Sequence, residues 1–357
     1  MQVRIVRPHE LADLIPLDEA LAAVRQAFID FGHHPGLNAP RRRIHAPSGV
    51  RVSVHQGAAV SYGATGLFTH CEWVRPQETK QRYELKQPPV TVVFSTEDGT
   101  LSGILIGEMG CEAFRPGLTG LRTAATSAIG TDLLANPGPI AVGLFGSGDQ
   151  ANNHLISLSR LRQIREVRVY SPTAAHRQAF AEALNGRYGF PVQAVDAPQA
   201  AVEGVDVVLL CTNASVPVID GHWLRPGQHL TSIVGSNVGL VEGGFVAKKR
   251  REIDDYTVVR ADVLVANSRA QAIQDQQGDL YDPVQAGLIS WDKVAELGEV
   301  LVGKRPGRTA PEQVTVFKNN AGQGIADLAL AGLALRHAEA KGLGILVEAG
   351  EAIPSAF

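Results

Sequence analysis

The segment at residues 140–155, IAVGLFGSGDQANNHL, constrains the fold of this chain more than any other stretch. Six apolar residues, 140–145, predict a short buried strand. In the pattern G-x-G-x-x-[G/A], the first glycine allows a tight turn, the second lets the backbone approach a pyrophosphate, and the last small residue lets the helix pack closely. The helix that follows directs unpaired N–H groups toward phosphate. The loop residues that match this pattern, and that we predict to bind a dinucleotide, are Gly146, Ser147, Gly148, Asp149, Gln150 and Ala151.

The residues after this loop continue the same type of fold. A helix is predicted over 173–184, and apolar runs predict further strands at 167–171, 192–197, 206–212, 229–235 and 262–267. Strands that alternate with helices favour a parallel, doubly wound sheet. The sequence therefore predicts an α/β chain with a Rossmann-type domain.

The tip of the second strand bears on the choice of cofactor. NAD-binding domains usually carry Asp or Glu there, which binds the ribose 2′-hydroxyl. Here Ser171 and Thr173 occupy that region, and Arg177 follows closely. Because no carboxylate repels a 2′-phosphate and Arg177 can neutralise one, NADP(H) is favoured, while NAD(H) stays possible. The alternative for Arg177 is a solvated helix residue.

Composition excludes several classes of protein. The chain has 357 residues, enough for two domains, with 45% hydrophobic residues, 19% charged residues and a net charge of −3. There is no basic stripe for nucleic acid, no apolar run of membrane-spanning length, and no signal-peptide pattern at the N-terminus. Three widely spaced cysteines predict reduced thiols. We expect a cytoplasmic protein without nucleic-acid or membrane partners.

Dehydrogenases often begin with the nucleotide domain, whereas here about 125 residues precede it. Periodicity predicts a helix at 17–32, strands at 50–56 and 64–74, and a hairpin at 88–107 with its turn at 97–99. A further helix, 117–135, leads directly into the nucleotide strand. The first part of the chain therefore predicts a separate α+β unit.

In this arrangement the chain resembles the ornithine cyclodeaminase/mu-crystallin family. The resemblance implies a Rossmann domain, residues 126–313, inserted into a split α+β substrate-binding and dimerisation domain, residues 1–125 plus 314–357. It also implies a homodimer. The motifs that carry the resemblance are LTGLRTAATSA (118–128), VGLFGSGDQA (142–151), REIDD (251–255), RADVLVANSRAQA (260–272) and VTVFKNNAGQGIADLALA (314–331).

Family members transfer hydride between nicotinamide and the α-carbon of an amino or imino acid, and such a substrate carries a carboxylate. Arginine suits a carboxylate because its planar fork donates two parallel hydrogen bonds. Arg122, in the Arg-Thr-Ala-Ala motif, matches the carboxylate-binding arginine of the family. In APRRRIH (39–45), Arg42 aligns best with a second family arginine, and Arg43 is its rival; three adjacent arginines are also compatible with a solvated strand end.

The chain departs from the family where a lysine usually stands, because Phe68 takes that place. Phenylalanine can neither donate a hydrogen bond nor pass a proton. His70 lies two residues on, hence on the same face of a strand, and is a candidate proton donor with a pKa near neutrality. A core or interface histidine is the equal alternative. Lys86 is a second candidate donor, although its neighbours Lys80 and Arg82 indicate an exposed loop.

A second departure concerns the acid that cyclodeaminases carry after the fifth strand, in a Gly-x-Asp motif. Here the residues are Gly235, Ser236 and Asn237. Asparagine can orient a substrate or water but cannot act as a base at pH 7. An insertion at 238–249 follows and is expected to reshape the rim of the pocket.

The resemblance also brings the stretch FKNNAGQG (317–324) close to nicotinamide and substrate. Lys318 and Asn319, with Asn320, are candidate hydrogen-bond donors there; the alternative is a loop that caps the last helix. No cluster of histidine and cysteine has metal-ligand spacing, so no metal is expected. Further cofactor contacts are expected in the motif helix and after the fourth and fifth strands, at Thr123, Thr212, Asn213, Gly235 and Ser236.

These residues favour an NAD(P)H-dependent reductase of a small α-imino acid, or a dehydrogenase of the matching amino acid. That reaction needs only hydride, a carboxylate clamp and one proton donor. One alternative is an ornithine or related cyclodeaminase that releases ammonia. Another is a non-catalytic protein that keeps NADP and binds a small ligand in the cleft, as the loss of the lysine suggests.

Overall fold

The computed structural model shows an α/β chain built around two sheets. Each sheet has eight strands, and all but one of the strands of the first sheet come from the part of the chain before residue 107. The structure describes residues 2–75, 82–85, 87–111, 114, 120–236, 238–244, 247–320 and 322–350.

The first sheet is mixed. Its strands run in the order β16-β1-β7-β6-β4-β3-β2, with β5 paired to β4. Only β1 and β7 pair in parallel; the other pairings are antiparallel. The strands are β1 (Gln2–Val6), β2 (Arg42–His45), β3 (Val50–Ala59), β4 (Ala64–Arg75), β5 (Arg82–Leu85), β6 (Val90–Ser95), β7 (Leu101–Ile106) and β16 (Ile345–Glu348).

The second sheet is parallel throughout, with the order β10-β9-β8-β11-β12-β15-β13-β14. Its order reverses at β8, which lies between β9 and β11, and such a switch point is where doubly wound sheets bind ligands. The predicted Rossmann-type sheet is thereby confirmed. The strands are β8 (Ile140–Phe145), β9 (Ile164–Tyr170), β10 (Val192–Ala194), β11 (Val207–Leu210), β12 (His229–Ser232), β13 (Val263–Ala266), β14 (Val294–Glu296) and β15 (Thr315–Lys318).

Eleven α-helices connect and cover the sheets in the described part of the chain. They are α1 (Pro8–Leu11), α2 (Leu17–His33), α3 (Gly120–Leu134), α4 (Asp149–Leu161), α5 (Ala174–Leu184), α6 (Val238–Glu242), α7 (Asp255–Arg260), α8 (Arg269–Gln274), α9 (Tyr281–Gln285), α10 (Leu297–Leu301) and α11 (Gly324–Ala340). Single 3₁₀ turns lie at Pro35–Leu37, Val60–Tyr62, Gln199–Ala201, Gly221–Trp223 and Trp291–Lys293.

Helix α11 fixes the relation between the two halves of the chain. It is buried at every position from 324 to 334, as expected for a helix that is apolar on all sides and lies inside a protein. Its first turn packs on β3 so closely that a Cβ on Gly57 would lie 2.3 Å from the backbone nitrogen of Ile325. The C-terminal part of the chain therefore returns to the first sheet, as expected from the resemblance.

The chain leaves the second sheet for the first at a later residue than predicted. Strand β15 is hydrogen-bonded between β12 and β13 of the second sheet, so the boundary set at residue 314 separates this strand from its own sheet. The apolar run at 314–317 was not predicted as a strand, and it leads directly into the stretch FKNNAGQG. Strands β1, β5, β14 and β16 were also not anticipated, because each has only three to five residues.

Candidate active site

The glycine loop lies between β8 and α4. Gly146 has a φ of +110°, and a Cβ there would lie 2.4 Å from the carbonyl oxygen of Cys211, so no other residue fits without a backbone shift. At Gly148 a Cβ would point into open space, which leaves the backbone accessible to a ligand. Ala151 is fully buried against the sheet, and the Gln150 Oε1 atom is buried without a described partner. The loop thus has the form that a pyrophosphate requires.

At the tip of β9, Ser171 receives a hydrogen bond from the Ser147 hydroxyl, 3.1 Å away, and Thr173 precedes α5. Arg177 already has partners within the protein, because it donates to the Ser171 carbonyl at 3.1 Å and to Asp196 Oδ1 at 2.7 Å. A cavity of about 530 Å³ opens beside the glycine loop. Its lining residues are Ser147, Gly148, His176, Ala179 and Phe180.

Arg122, in the first turns of α3, is 3% exposed. Its Nε donates to Asp327 Oδ1 at 2.9 Å, and its Nη1 donates to the Thr123 hydroxyl at 3.1 Å. Burial alone would raise the pKa of Asp327, but the charge of Arg122 and a hydrogen bond from His55 hold it below its ordinary value. Arg122 is therefore a fixed, buried cation at the contact of α3 with α11.

His55, Phe68 and His70 lie on the face of the first sheet that meets α11. His55 pairs with Phe68 in the strand register, and the Nδ1 of His55 is 2.8 Å from Asp327 Oδ2. The ring of His70 is 5.7 Å from Phe68 and 5.8 Å from His55. Burial lowers the pKa of His70 to about 2, helped by the nearby His55, so the expected pKa near neutrality is wrong. His70 is therefore a neutral imidazole at pH 7.

Two polar atoms without described hydrogen-bond partners lie beside His70. They are the buried hydroxyls of Ser53 and Thr91. The buried Nδ1 of His70 itself lies 3.5 Å from Glu72 Oε1. Ser53 lies directly opposite His70 on β3, and Thr91 lies opposite Phe68 on β6. Buried polar groups usually have hydrogen-bond partners, so this part of the sheet is suited to a polar ligand.

Arg41, which directly precedes β2, and the β2 residues Arg42 and Arg43 alternate between two faces. Arg41 is 5% exposed; its Nε donates to Asp275 Oδ2 at 2.8 Å, and its backbone nitrogen donates to Gln271 Oε1 at 2.7 Å. Arg43 Nη1 lies 3.4 Å from the same Asp275 oxygen. Arg42, preferred from the sequence, is exposed on the other side and makes none of these contacts. Arg41 and Arg43, which flank Arg42 in the sequence, are instead the arginines that contact Asp275. Arg43 was the named alternative to Arg42.

The side chains of Lys318 and Asn319 make their contacts in the interior of the protein. Lys318 is fully buried; its Nζ is 2.6 Å from Asp279 Oδ2 and 2.8 Å from the Ser232 hydroxyl. Asn319 Nδ2 donates to the carbonyl of Thr123 and the hydroxyl of Ser127, both at 2.9 Å. These contacts join the second sheet to α3. The amine of Lys318 thus has a structural ion pair, and its hydrogen bond to the nicotinamide or the substrate stays a prediction.

The remaining predicted contacts lie at the ends of parallel strands. Thr212 and the exposed Asn213 follow β11, on the same sheet edge as the glycine loop, and the Thr212 nitrogen donates to Glu252 Oε1 at 2.6 Å. Gly235 and Ser236 follow β12; a Cβ on Gly235 would lie 3.6 Å from Arg41, and the Ser236 hydroxyl donates to the Asp275 carbonyl. Lys86 and Asn237 lie outside the described residues.

Several buried residues at the site were not anticipated, namely His55, Asp327, Arg41 and Asp275. A signal for His55 was present, because Arg51, Ser53 and His55 alternate with valines and so form a polar row on one face of β3. Their burial shows that this row faces inward. The two carboxylates had no local signal, since each is defined by a partner more than 200 residues away.

The described residues contain neither a candidate metal site nor a helix that could span a membrane. In those ranges no group of three or more His, Cys, Asp or Glu side chains is arranged to hold a metal ion. No helix there has both the length and the apolar character needed to cross a bilayer. The three cysteines are free thiols, as predicted.

Fold and site define an α/β protein in which a Rossmann-type sheet and a mixed sheet meet at a buried cluster of arginine, histidine and carboxylate side chains. Residues 62–342 match the model of the ornithine cyclodeaminase/mu-crystallin family. The chain belongs to this family, which confirms the resemblance carried by its motifs.

Individual relatives extend over most of the chain. A protein of Rhizobium meliloti that carries a provisional dehydrogenase name is 30% identical over 357 residues, 97% of this chain and 99% of the relative. The ketimine reductase mu-crystallin of Mus musculus is 32% identical over 242 residues, 68% of this chain and 67% of the relative. The structure of Thermococcus litoralis Delta(1)-pyrroline-2-carboxylate reductase with NADH and L-proline superimposes with a TM-score of 0.79 at 24% identity, covering 96% and 99% of the two chains. That last likeness supports the fold.

Proposed function

We propose that this protein is an NAD(P)-dependent oxidoreductase that reduces a small α-imino acid or oxidises the matching α-amino acid. The observation that carries the proposal is the buried Arg122, held by Asp327, on the helix that leads into the nucleotide strand. Relatives named as ketimine and pyrroline-2-carboxylate reductases support the same reaction type.

The glycine loop fits a nicotinamide dinucleotide. Gly146 provides the turn, Gly148 leaves room for the pyrophosphate, and α4 is long enough for its N-terminus to favour a phosphate. A bound nicotinamide would supply or accept the hydride. The chain's own residues bind and orient the substrate, and the sheets keep water from the reacting atoms.

We infer a preference for NADP(H) from the end of β9, where Ser171 and Thr173 stand in place of an acid. Arg177 supports this preference less directly, because Asp196 already pairs with its guanidinium. Titration with NADPH and NADH tests it: NADPH should bind more tightly, and Ser171→Asp should reverse the order by repelling the 2′-phosphate. Equal affinities in both proteins would contradict the preference.

Arg122 is proposed to bind the substrate carboxylate through the part of its guanidinium not engaged by Asp327. Replacement by lysine keeps the charge but loses the planar fork. Arg122→Lys should therefore weaken binding of a small carboxylate by about tenfold or more, without a comparable effect on nucleotide affinity. A matched control is Arg336→Lys on the exposed side of α11.

The reaction is tested by mixing the protein with NADPH or NADH and a panel of 2-oxo acids with amines, and of cyclic ketimine carboxylates. Oxidation of the nucleotide by at least one imino acid is expected. Ammonia and a cyclic imino acid from ornithine, without net nucleotide oxidation, would instead identify a cyclodeaminase. Tight nucleotide binding with no turnover of any substrate would favour a binding protein.

We also propose a homodimer that uses the face of the first sheet turned away from α11. Apolar side chains are exposed there, with Ile44 73% and Phe94 36% accessible. Sedimentation equilibrium should give twice the mass of the chain, and Ile44→Lys should shift the equilibrium toward monomer. A monomer at micromolar concentration would contradict the proposal.

A further inference from the structure

His55 is a buried titratable residue close to the proposed carboxylate-binding arginine. Its side chain lies on β3 and is 2% exposed. Asp327 links the two residues, because Oδ1 accepts a hydrogen bond from Arg122 Nε at 2.9 Å while Oδ2 lies 2.8 Å from His55 Nδ1. One carboxylate therefore fixes the positions of a guanidinium and an imidazole relative to each other.

The same contact selects the tautomer of His55. Asp327 is ionised, since Arg122 outweighs the effect of burial on its pKa, and an ionised carboxylate can only accept hydrogen bonds. The proton of a neutral His55 must then be on Nδ1, which leaves the lone pair on Nε2. Burial lowers the pKa of His55 to about 4, so the ring is neutral at pH 7. Among the described residues, the hydrogen bond of the His55 ring is made through Nδ1, and Nε2 is not engaged by Asp327.

The surroundings of this lone pair contain no adjacent ammonium in the described part of the chain. Phe68, 5.3 Å away between ring centroids, offers no hydrogen bond, and His70 is itself neutral. The charged groups that influence His55 are Asp327, Arg122 and Arg41. Phe68 thus leaves the acceptor on His55 available, whereas a lysine in its place would compete for it.

An α-amino or α-imino acid carries its carboxylate and its nitrogen on a single carbon. A site for it must place a carboxylate-binding group and a nitrogen-binding group close together, as Asp327 places Arg122 and His55. We propose that His55 Nε2 binds the α-nitrogen of the substrate and exchanges its proton, with Asp327 as the positioning residue. This inference rests on the proposed function. It assigns to His55 the binding of nitrogen and the proton exchange that Phe68 cannot perform.

The proton balance is as follows in the direction of amino acid oxidation. The α-ammonium gives one proton to Nε2, and the imidazolium formed keeps its Nδ1–H bond to Asp327, as in a histidine–carboxylate pair of a catalytic triad. A bound oxidised nicotinamide would accept the α-hydrogen of the neutral amine as hydride, which would leave an iminium. In the direction of reduction, the amine formed from the iminium would take the proton back from His55.

Binding of two planar analogues tests the proposal without turnover. Pyrrole-2-carboxylate offers a ring N–H beside its carboxylate, and furan-2-carboxylate offers an oxygen at the same place. Calorimetry on the full chain with oxidised nucleotide should show pyrrole-2-carboxylate binding about tenfold more tightly, as one hydrogen bond predicts. His55→Phe should abolish this preference and leave furan-2-carboxylate binding unchanged, whereas His55→Gln, which keeps an acceptor oxygen, should retain part of it.

The control is His229→Gln, which removes a buried histidine in β12 and should keep the preference. Nitrogen-15 NMR of the wild-type protein gives an independent readout: the His55 signals should indicate a proton on Nδ1, and the Nε2 signal should shift when pyrrole-2-carboxylate binds. An undiminished preference in His55→Phe, equal weakening of both analogues, or a proton on Nε2 would overturn the assignment. Failure of the wild-type protein to bind either analogue would overturn the proposed function together with it.

Discussion

Phe68 and His55 lie directly opposite each other on β4 and β3, with their ring centroids 5.3 Å apart. The position that holds a lysine in the family pattern is therefore apolar in this chain and borders a neutral imidazole. Asp327, a carboxylate that meets this face, already binds both Arg122 and His55. A lysine introduced at position 68 would therefore find this carboxylate engaged.

Phe68→Lys should lower the free energy of unfolding by about 3 kcal/mol at pH 7, because a buried ammonium without its own partner is costly. Urea denaturation measures this change. Phe68→Leu is the matched control and should cost about 1 kcal/mol, since it keeps the position apolar. A lysine variant as stable as the wild type, with faster imine reduction, would show that the site accepts an ammonium.

The register of β2 provides a second prediction. Arg41→Gln should destabilise the protein by about 3 kcal/mol, because it removes the main partner of the buried Asp275. Arg42→Gln should change stability by less than about 0.5 kcal/mol, as is usual for exposed side chains. Thermal unfolding of both variants side by side measures the difference. The reverse ranking would mean that Arg42, as aligned from the sequence, is the inward arginine.

Much of the fold follows from local pattern. Strand β8 and the loop after it were predictable because an uninterrupted apolar run ends in glycines whose spacing has a steric meaning. The burial of Arg122 was predictable from its motif and its apolar neighbours. These features depend on residues adjacent in sequence. Strand β8 has the predicted bounds, and α3, described as Gly120–Leu134, lies within the predicted 117–135.

The charged interior was not predictable in the same way. A lysine at the end of the run VTVFK indicates an exposed loop or a ligand contact until its partner is known, and Asp279 lies 39 residues away. His55 belongs to none of the motifs found in the sequence, and its proposed role depends on Asp327 in the last long helix. Long-range pairing between the two sheets decides which polar residues are buried, and one sequence does not reveal it.

The ion pair of Lys318 gives a third prediction. Lys318→Met should lower the free energy of unfolding by about 3–5 kcal/mol, because Asp279 and the nearby buried Glu252 would lose their cation. Lys341→Met, at an exposed position just after α11, is the matched control. The folded fraction should still bind nucleotide with little change. Selective loss of nucleotide binding at unchanged stability would instead support the contact with nicotinamide.

Four buried histidines make stability depend on pH. Burial lowers the pKa of His55 and His154 to about 4, of His229 to about 3 and of His70 to about 2, from an ordinary value of 6.5. As the pH falls below 6.5, these histidines become protonated in the unfolded chain but stay neutral in the folded protein. The free energy of unfolding should therefore be fully retained above pH 6.5 and decline below it, approaching about 5 kcal/mol per pH unit for four protons.

Urea denaturation between pH 7 and pH 4.5 measures this slope, above the range in which Asp327, whose pKa is lowered, begins to titrate. His229→Gln isolates one contribution. This histidine lies inside the second sheet, where its Nδ1 and Nε2 are each 2.8 Å from a threonine hydroxyl, of Thr315 and Thr231. The variant should be less stable at pH 7, yet its stability should fall less steeply, by about one proton, because one buried base is gone. An identical slope in both proteins would mean that His229 is already protonated in the folded state.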